Sequence, residues 1–267
     1  MPELPDVELY KRRLDAHALR RKITGVVVSD ARILGELPKK DFVARLEGNR
    51  LESSRRHGKH LLVRLARDGW LTLHFGMTGD LRYLEPGADD VRYDRVRFDF
   101  GDGRLAYVNR RMLGRVGLAD DADAFIAAEE LGPDAFDPAF NLAALSAALD
   151  GRRDVKTVLM DQSVVAGIGN IYADEILFQA RLHPKTPGRA LGQAKRKALL
   201  GRITEVLTTA IESGAGAEQL LEHLPKSYLL PHRHEGGSCP RCGGELATLK
   251  AAGRTSYYCP RCQPAPS

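Results

Sequence analysis

All four cysteines of this chain fall in two Cys-Pro-Arg-Cys tetrapeptides near its C-terminal end, and no other feature restricts its folding as tightly. Cys239, Cys242, Cys259 and Cys262 form two knuckles, and four thiolates complete a tetrahedral site for one zinc ion. Such a site has no open position for a catalytic water, so the metal is structural. In a reducing compartment this spacing points to metal rather than disulfides, with iron or a disulfide pair as the other readings. The residues between the knuckles are rich in strand formers, which predicts a zinc ribbon with a hairpin. Gly253 marks its turn beside Arg254, and an arginine on a rigid hairpin tip can hold a phosphate bidentately.

The rest of the chain is too long to hang on that ribbon. At 267 residues it is long for one domain and comfortable for two. From Pro5 to about Arg21, Val7, Tyr10, Leu14 and Ala18 recur at helical spacing, predicting an amphipathic helix. Alternating segments follow at Leu61–Leu65, Leu71–Phe75 and Val96–Phe100 and read as half-buried strands. Asp68-Gly69, Pro86-Gly87 and Gly101-Asp102-Gly103 supply turns at the spacing of an antiparallel sandwich or barrel. Leu131-Gly132-Pro133-Asp134 then reads as a linker, because glycine and proline break helices. Helices are predicted beyond it near 142–149, 154–160, 171–179 and 190–213, the last with Leu199, Ile203, Val206, Ala210 and Ile211 on one stripe. The expected fold is α+β and multidomain: an antiparallel β-sandwich with an N-terminal helix over 1–130, a helical domain over 131–230 and the ribbon over 231–267.

A formal net charge of +5 and a pI near 9.0 suggest a polyanionic partner. No apolar run approaches membrane-spanning length, and the first twenty residues carry charge where a signal peptide would be apolar. The expected location is cytoplasmic, with no membrane partner.

Two stretches carry chemistry besides the cysteines. Removal of Met1 before a small proline would leave the secondary amine of Pro2 beside the carboxylate of Glu3. Such an amine can attack an electrophilic carbon and form an iminium, and an α-amino group titrates near ~7.7 to 8.0, well below lysine. General-acid work by Glu3 asks for a buried pocket. The plainer reading is that Pro5 opens a helix and Pro2-Glu3 leads into it. The run Gly167-Ile168-Gly169-Asn170 precedes a helix, where Asn170 can cap and free N–H groups can bind a phosphate.

The opening Met-Pro-Glu-Leu-Pro-Asp-Val-Glu, the run from Gly167 to Glu175 and the terminal cysteines resemble, in that order, the formamidopyrimidine-DNA glycosylase and endonuclease VIII family. The likeness spans nearly the whole chain. It implies a helix-two-turn-helix in the helical domain and attack by Pro2 on the anomeric carbon of a damaged nucleotide, with Glu3 handling protons. It implies that Lys59 pairs with a phosphate next to the extruded nucleotide, and that Met77, Arg111 and Leu113 fill the gap left by base flipping. It also implies backbone contacts from Asn170, Lys156 and Arg254. The physics of flipping asks for such a mixture, with apolar wedges for lost stacking and a donor for the orphaned base. Without the resemblance Met77 and Leu113 would be assigned to the core, and Lys59 to a strand edge.

Three positions depart from the family pattern: Asp6 where glutamate is common, Leu113 where the formamidopyrimidine branch has an aromatic wedge, and Met112 where a basic residue often lies. The segment 214–238 is also shorter than the longest lesion-capping loops. The expected function is a base-excision-repair DNA glycosylase and abasic-site lyase acting as a monomer on double-stranded DNA with damaged bases or abasic sites, ending in β,δ-elimination. The alternatives are endonuclease VIII-like specificity for oxidised pyrimidines and a non-catalytic zinc-ribbon nucleic-acid binder. The departures predict that ring-opened purines or oxidised pyrimidines are excised faster than 8-oxoguanine.

Overall fold

The predicted stripe Val7, Tyr10, Leu14 and Ala18 is buried on one face of helix α1 (Leu4–His17) in the computed structural model, which describes residues 1–214 and 221–266. The helix ends four residues earlier than its periodicity suggests, in a turn where Arg20 takes a positive φ of 63°. The chain divides into two units, Met1–Pro2 with Asp6–Glu129, and Glu3–Pro5 with Glu130–Ser267.

The first unit is built on eight strands and two further helices: β1 (Gly25–Val28), α2 (Lys39–Leu46), β2 (Leu51–His57), β3 (His60–Leu65), β4 (Trp70–His74), β5 (Gly79–Leu84), β6 (Asp94–Asp99), β7 (Arg104–Asn109), β8 (Arg115–Ala119) and α3 (Ala122–Ala128). They form two antiparallel four-stranded sheets, ordered β1-β6-β7-β5 and β2-β3-β4-β8, which share one core with α1 and α2. Leu61, Val63, Leu71, Leu73, Val96 and Phe98 point into that core, as their alternation requires. The central strands are more than half buried, however. Leu62 and Thr72, paired across β3 and β4, are also covered although neither belongs to the core cluster. Both faces of these strands are therefore shielded. Glycines hold the hairpins at the expected turns, with positive φ at Gly69, Gly87, Gly101 and Gly103.

The second unit holds α4 (Leu142–Leu149), α5 (Val155–Met160), α6 (Asn170–Gln179), α7 (Gln193–Glu212) and a hairpin of β9 (Ala247–Ala251) and β10 (Arg254–Tyr258). The α7 stripe Leu199, Ile203, Val206, Ala210 and Ile211 packs into the helical core, joined by Leu4 from the N-terminal end of the chain. Helix α7 starts at Gln193 because residues 188–190 form a separate 3-10 turn. No helix among the described residues is long and apolar enough to cross a membrane.

Candidate active site and nucleic-acid contacts

Glu3 is completely buried, and its carboxylate caps helix α6. One oxygen accepts the N–H of Gly169 at 2.7 Å and of Tyr172 at 3.2 Å; the other accepts the N–H of Ile171 at 2.8 Å. A carboxylate at this end of a helix satisfies orphan donors and meets the positive end of the helix dipole. The glycines of the Gly167-Ile168-Gly169 run are explained by this docking. A Cβ on Gly169 would lie 2.4 Å from the Glu3 carboxyl carbon, and one on Gly167 would lie 2.6 Å from a Leu4 methyl group. Gln162 braces the run from behind, accepting from the Gly167 N–H at 3.0 Å and donating to the Ile168 carbonyl at 2.8 Å. The expectation that Asn170 caps the helix is corrected. Gly169 occupies the cap position, Glu3 supplies the acceptor, and Asn170 is the first helical residue.

In the first unit, Lys59 sits with Gly58 in the two-residue turn between β2 and β3. His60 and His74 face each other across β3 and β4, and burial pushes both imidazoles down, His60 to about 3, leaving them neutral at pH 7. Met77, Arg111 and Leu113 lie on two loops that the backbone locks together. The Arg111 N–H donates to the Thr78 hydroxyl at 3.1 Å, Asn109 Nδ2 to the Phe75 carbonyl at 3.1 Å, and the Tyr107 hydroxyl to the His74 carbonyl at 2.7 Å. The loops approach so closely that a Cβ on Gly76 would meet the Leu113 carbonyl oxygen at 2.2 Å, and one on Gly114 would meet the Tyr107 hydroxyl at 1.9 Å. Neither Met77 nor Leu113 joins the core, and Leu113 is 51% exposed.

In the second unit the four cysteine sulfurs lie within 4.8 Å of one another, with Cys239 and Cys262 3.8 Å apart and Cys242 and Cys259 3.6 Å apart. Four thiolates at about 2.3 Å from a tetrahedral zinc stand roughly 3.8 Å apart, so this cluster fits one zinc ion. The hairpin between the knuckles turns on Ala252 and Gly253, both at positive φ, and presents Arg254 exposed at its tip. The knuckles are docked on the end of α6: the Arg241 guanidinium lies 4.3 Å from the Phe178 ring centroid and donates to the Phe178 carbonyl, and buried Gln263 joins the Cys259 N–H to the Leu182 carbonyl.

Lys156 departs from the expected surface contact. Its side chain is fully buried and donates to Asn170 Oδ1 at 2.7 Å, to Asp174 Oδ1 at 2.6 Å and to the Ser256 hydroxyl, which uses all three protons of an ammonium. Burial pulls its pKa down while the Asp174 carboxylate opposes that shift. A phosphate would find no proton left to accept. Sequence reasoning also missed the residues around it. Asp174 accepts from Arg233 Nε at 2.9 Å and from the Tyr257 N–H at 3.1 Å. Glu175, likewise fully buried, accepts the N–H groups of Leu229 and Leu230 and an amide proton of Gln179. Burial pushes the Glu175 carboxyl up to about 7. The one available signal was the pairing of two acids in an otherwise apolar helix. Of the short segment 214–238, residues 215–220 lie outside the described residues.

Residues 1–116 match the formamidopyrimidine-DNA glycosylase N-terminal domain, 131–221 its H2TH domain, and 236–265 the zinc finger found in FPG and IleRS. A formamidopyrimidine-DNA glycosylase of Synechococcus sp. is 36% identical over 99% of both chains. One of Methylococcus capsulatus is 37% identical over 98% of this chain and all of its own. Among solved structures, Lactococcus lactis Fpg bound to N7-benzyl-Fapy-dG DNA is 28% identical with a TM-score of 0.89, over 99% of this chain and 100% of that one. The same enzyme with DNA containing an oxidised pyrimidine gives 29% identity and a TM-score of 0.89, with the same coverage.

Proposed function

Because this chain belongs to the formamidopyrimidine-DNA glycosylase family, we propose that it removes oxidised or ring-opened bases from double-stranded DNA and then cuts the strand at the abasic site. It is a bifunctional base-excision-repair enzyme, a DNA glycosylase with abasic-site lyase activity. Once Met1 is removed, the Pro2 amine attacks the anomeric carbon, the glycosidic bond breaks, and the base leaves with a proton. The resulting iminium acidifies the neighbouring sugar positions, β- and δ-elimination expel the two phosphates, and hydrolysis returns the amine. Glu3 moves the protons in these steps.

One observation carries this reading: the carboxylate one residue from Pro2 is buried and fixed by three backbone N–H groups, so the proton carrier has one orientation. The same helix start supports a phosphate contact. Glu3 occupies the N–H groups of Gly169, Ile171 and Tyr172, and the Asn170 N–H has no acceptor among the described residues. In this reading Asn170 and Arg254 grip the backbone, Lys59 pairs with a phosphate, and Met77, Arg111 and Leu113 occupy the space of the flipped base. When bound, zinc is held by Cys239, Cys242, Cys259 and Cys262 and supplies only the fold of the ribbon that carries Arg254. The functional division follows the chain as 1–130 for chemistry and base displacement, 131–230 and 231–267 for DNA grip. The enzyme works as a monomer in the bacterial cytoplasm, in keeping with its bacterial relatives.

The test is Glu3→Gln. Base excision should fall far more than cleavage of a preformed abasic site, because the abasic sugar already offers an aldehyde to the amine. Equal losses would contradict the role given to Glu3.

A further inference from the structure

A buried ion pair contributes little net stability, because desolvating two charges offsets most of their attraction. The Lys156–Asp174 pair must be judged by what else it holds. Lys156 fixes the Asn170 side-chain oxygen, and Asn170 Nδ2 donates to the Thr255 carbonyl at 3.1 Å. Lys156 also reaches Ser256, and Asp174 accepts the Tyr257 N–H. Arg233 binds Asp174 and points a second nitrogen at the Thr255 carbonyl, with its guanidinium 4.9 Å from the Tyr257 ring centroid. Of the three hairpin residues that follow Arg254, Thr255 and Tyr257 are thus tied to the first turns of α6 and Ser256 to Lys156 on α5. Asn170 has its oxygen and one amide proton committed, so its side chain cannot rotate.

We infer that Lys156 and Asp174 are positioning residues that join Asn170 and Arg254 into one phosphate clamp of fixed spacing, making their two contacts with DNA energetically coupled. This rests on the reading that Asn170 and Arg254 bind the DNA backbone. No direct bond between the two side chains exists among the described residues, so the coupling runs through the buried pair and the Thr255 carbonyl.

The experiment is a double-mutant cycle on the zinc-loaded full chain, with a duplex carrying a tetrahydrofuran abasic analogue as probe and anisotropy as readout. In the wild-type background, Asn170→Ala and Arg254→Ala should each weaken binding nearly as much as both together, a non-additivity of roughly fivefold or more. In Lys156→Met/Asp174→Asn, which removes both charges at once, affinity should fall roughly tenfold and the two losses should become additive. Zinc content and the single-turnover rate at saturating DNA should stay at wild-type values, which a merely structural role would not allow. Should that variant lose zinc or unfold, Ser256→Ala, which removes one bond from the same pair, must reduce the coupling. Additive losses in the wild type, or unchanged coupling in these variants, would overturn the proposal. If Asn170→Ala and Arg254→Ala both bind like wild type, the backbone-contact assignment itself fails, and the clamp with it.

Discussion

The two units present their candidate DNA-facing groups by opposite means. In the β unit, Met77, Arg111 and Leu113 project from loops fixed by backbone contact, through Gly76, Gly114, Asn109 and Tyr107, and their own side chains are left to meet a partner. In the helical unit two of the presented side chains are themselves held, Glu3 by three N–H groups and Asn170 by Lys156 and Thr255, while Arg254 stands exposed on a hairpin whose next residues are bonded. The difference fits the tasks. A wedge must slide between bases of any identity, so it needs a firm base and a loose tip. A proton carrier or a phosphate ligand works at one distance and angle, so its tip must be fixed.

The sharpest way to break this contrast is to disturb a fixed tip without touching it. Gly169→Ala adds one methyl group where only 2.4 Å separates it from the Glu3 carboxyl carbon. Base excision should fall roughly a hundredfold or more, with duplex binding weakened far less. Single-turnover excision near the wild-type rate would show that Glu3 is not held by this contact.

Glu175 sharpens the comparison by showing what a fully buried charge costs. Its native pKa, about 7, is raised above the ordinary 4.5 by burial. The folded protein therefore keeps a proton that the unfolded chain has lost, and stability falls as pH rises from about 4.5 through about 7. A shift of that size corresponds to roughly 3 kcal/mol. Glu175→Gln should lack this decline, so its stability relative to wild type should rise across the same window in denaturant titrations. A parallel pair of pH profiles would refute the shift.

The smallest effect is expected at the loose tip. Leu113→Ala should change stability by no more than about 0.5 kcal/mol, since the side chain is exposed and outside the core. Leu113→Phe should tighten binding to a lesion duplex by a few-fold, on the order of the 0.5–1.5 kcal/mol that aromatic stacking adds. With Leu113 as found, excision of ring-opened purines or oxidised pyrimidines should outpace that of 8-oxoguanine opposite cytosine in single-turnover assays. A wild-type rate on 8-oxoguanine that matches the others would remove Leu113 as a determinant of lesion choice.

The ribbon, the sandwich core and the α1 stripe were legible because each is written in local spacing: cysteine pairs, period-two alternation and period-3.6 recurrence. The proposed site residues Pro2 and Glu3 were legible only through their resemblance to a family, since a Pro-Glu lead-in to a helix is ordinary. What sequence could not reveal is how distant residues satisfy one another. Glu3 meets Gly169 across 166 residues of chain and Lys156 meets Ser256 across 100, and nothing near either residue announces it. Lys156 was misplaced for the same reason: a lysine is usually solvated, and it is buried only when partners far away in sequence accept its protons. The glycines at 167 and 169 were visible as a motif, but their purpose, admitting Leu4 and Glu3, required the fold.

The central claim is that the N-terminal amine of Pro2 performs the chemistry. Borohydride reduction during reaction with an abasic or lesion-containing duplex should trap a covalent protein–DNA adduct, and peptide mass spectrometry should locate it on Pro2. Protein that retains Met1 should give no such adduct. An adduct of undiminished yield with Met1 retained, or one mapped to a lysine, would contradict the account.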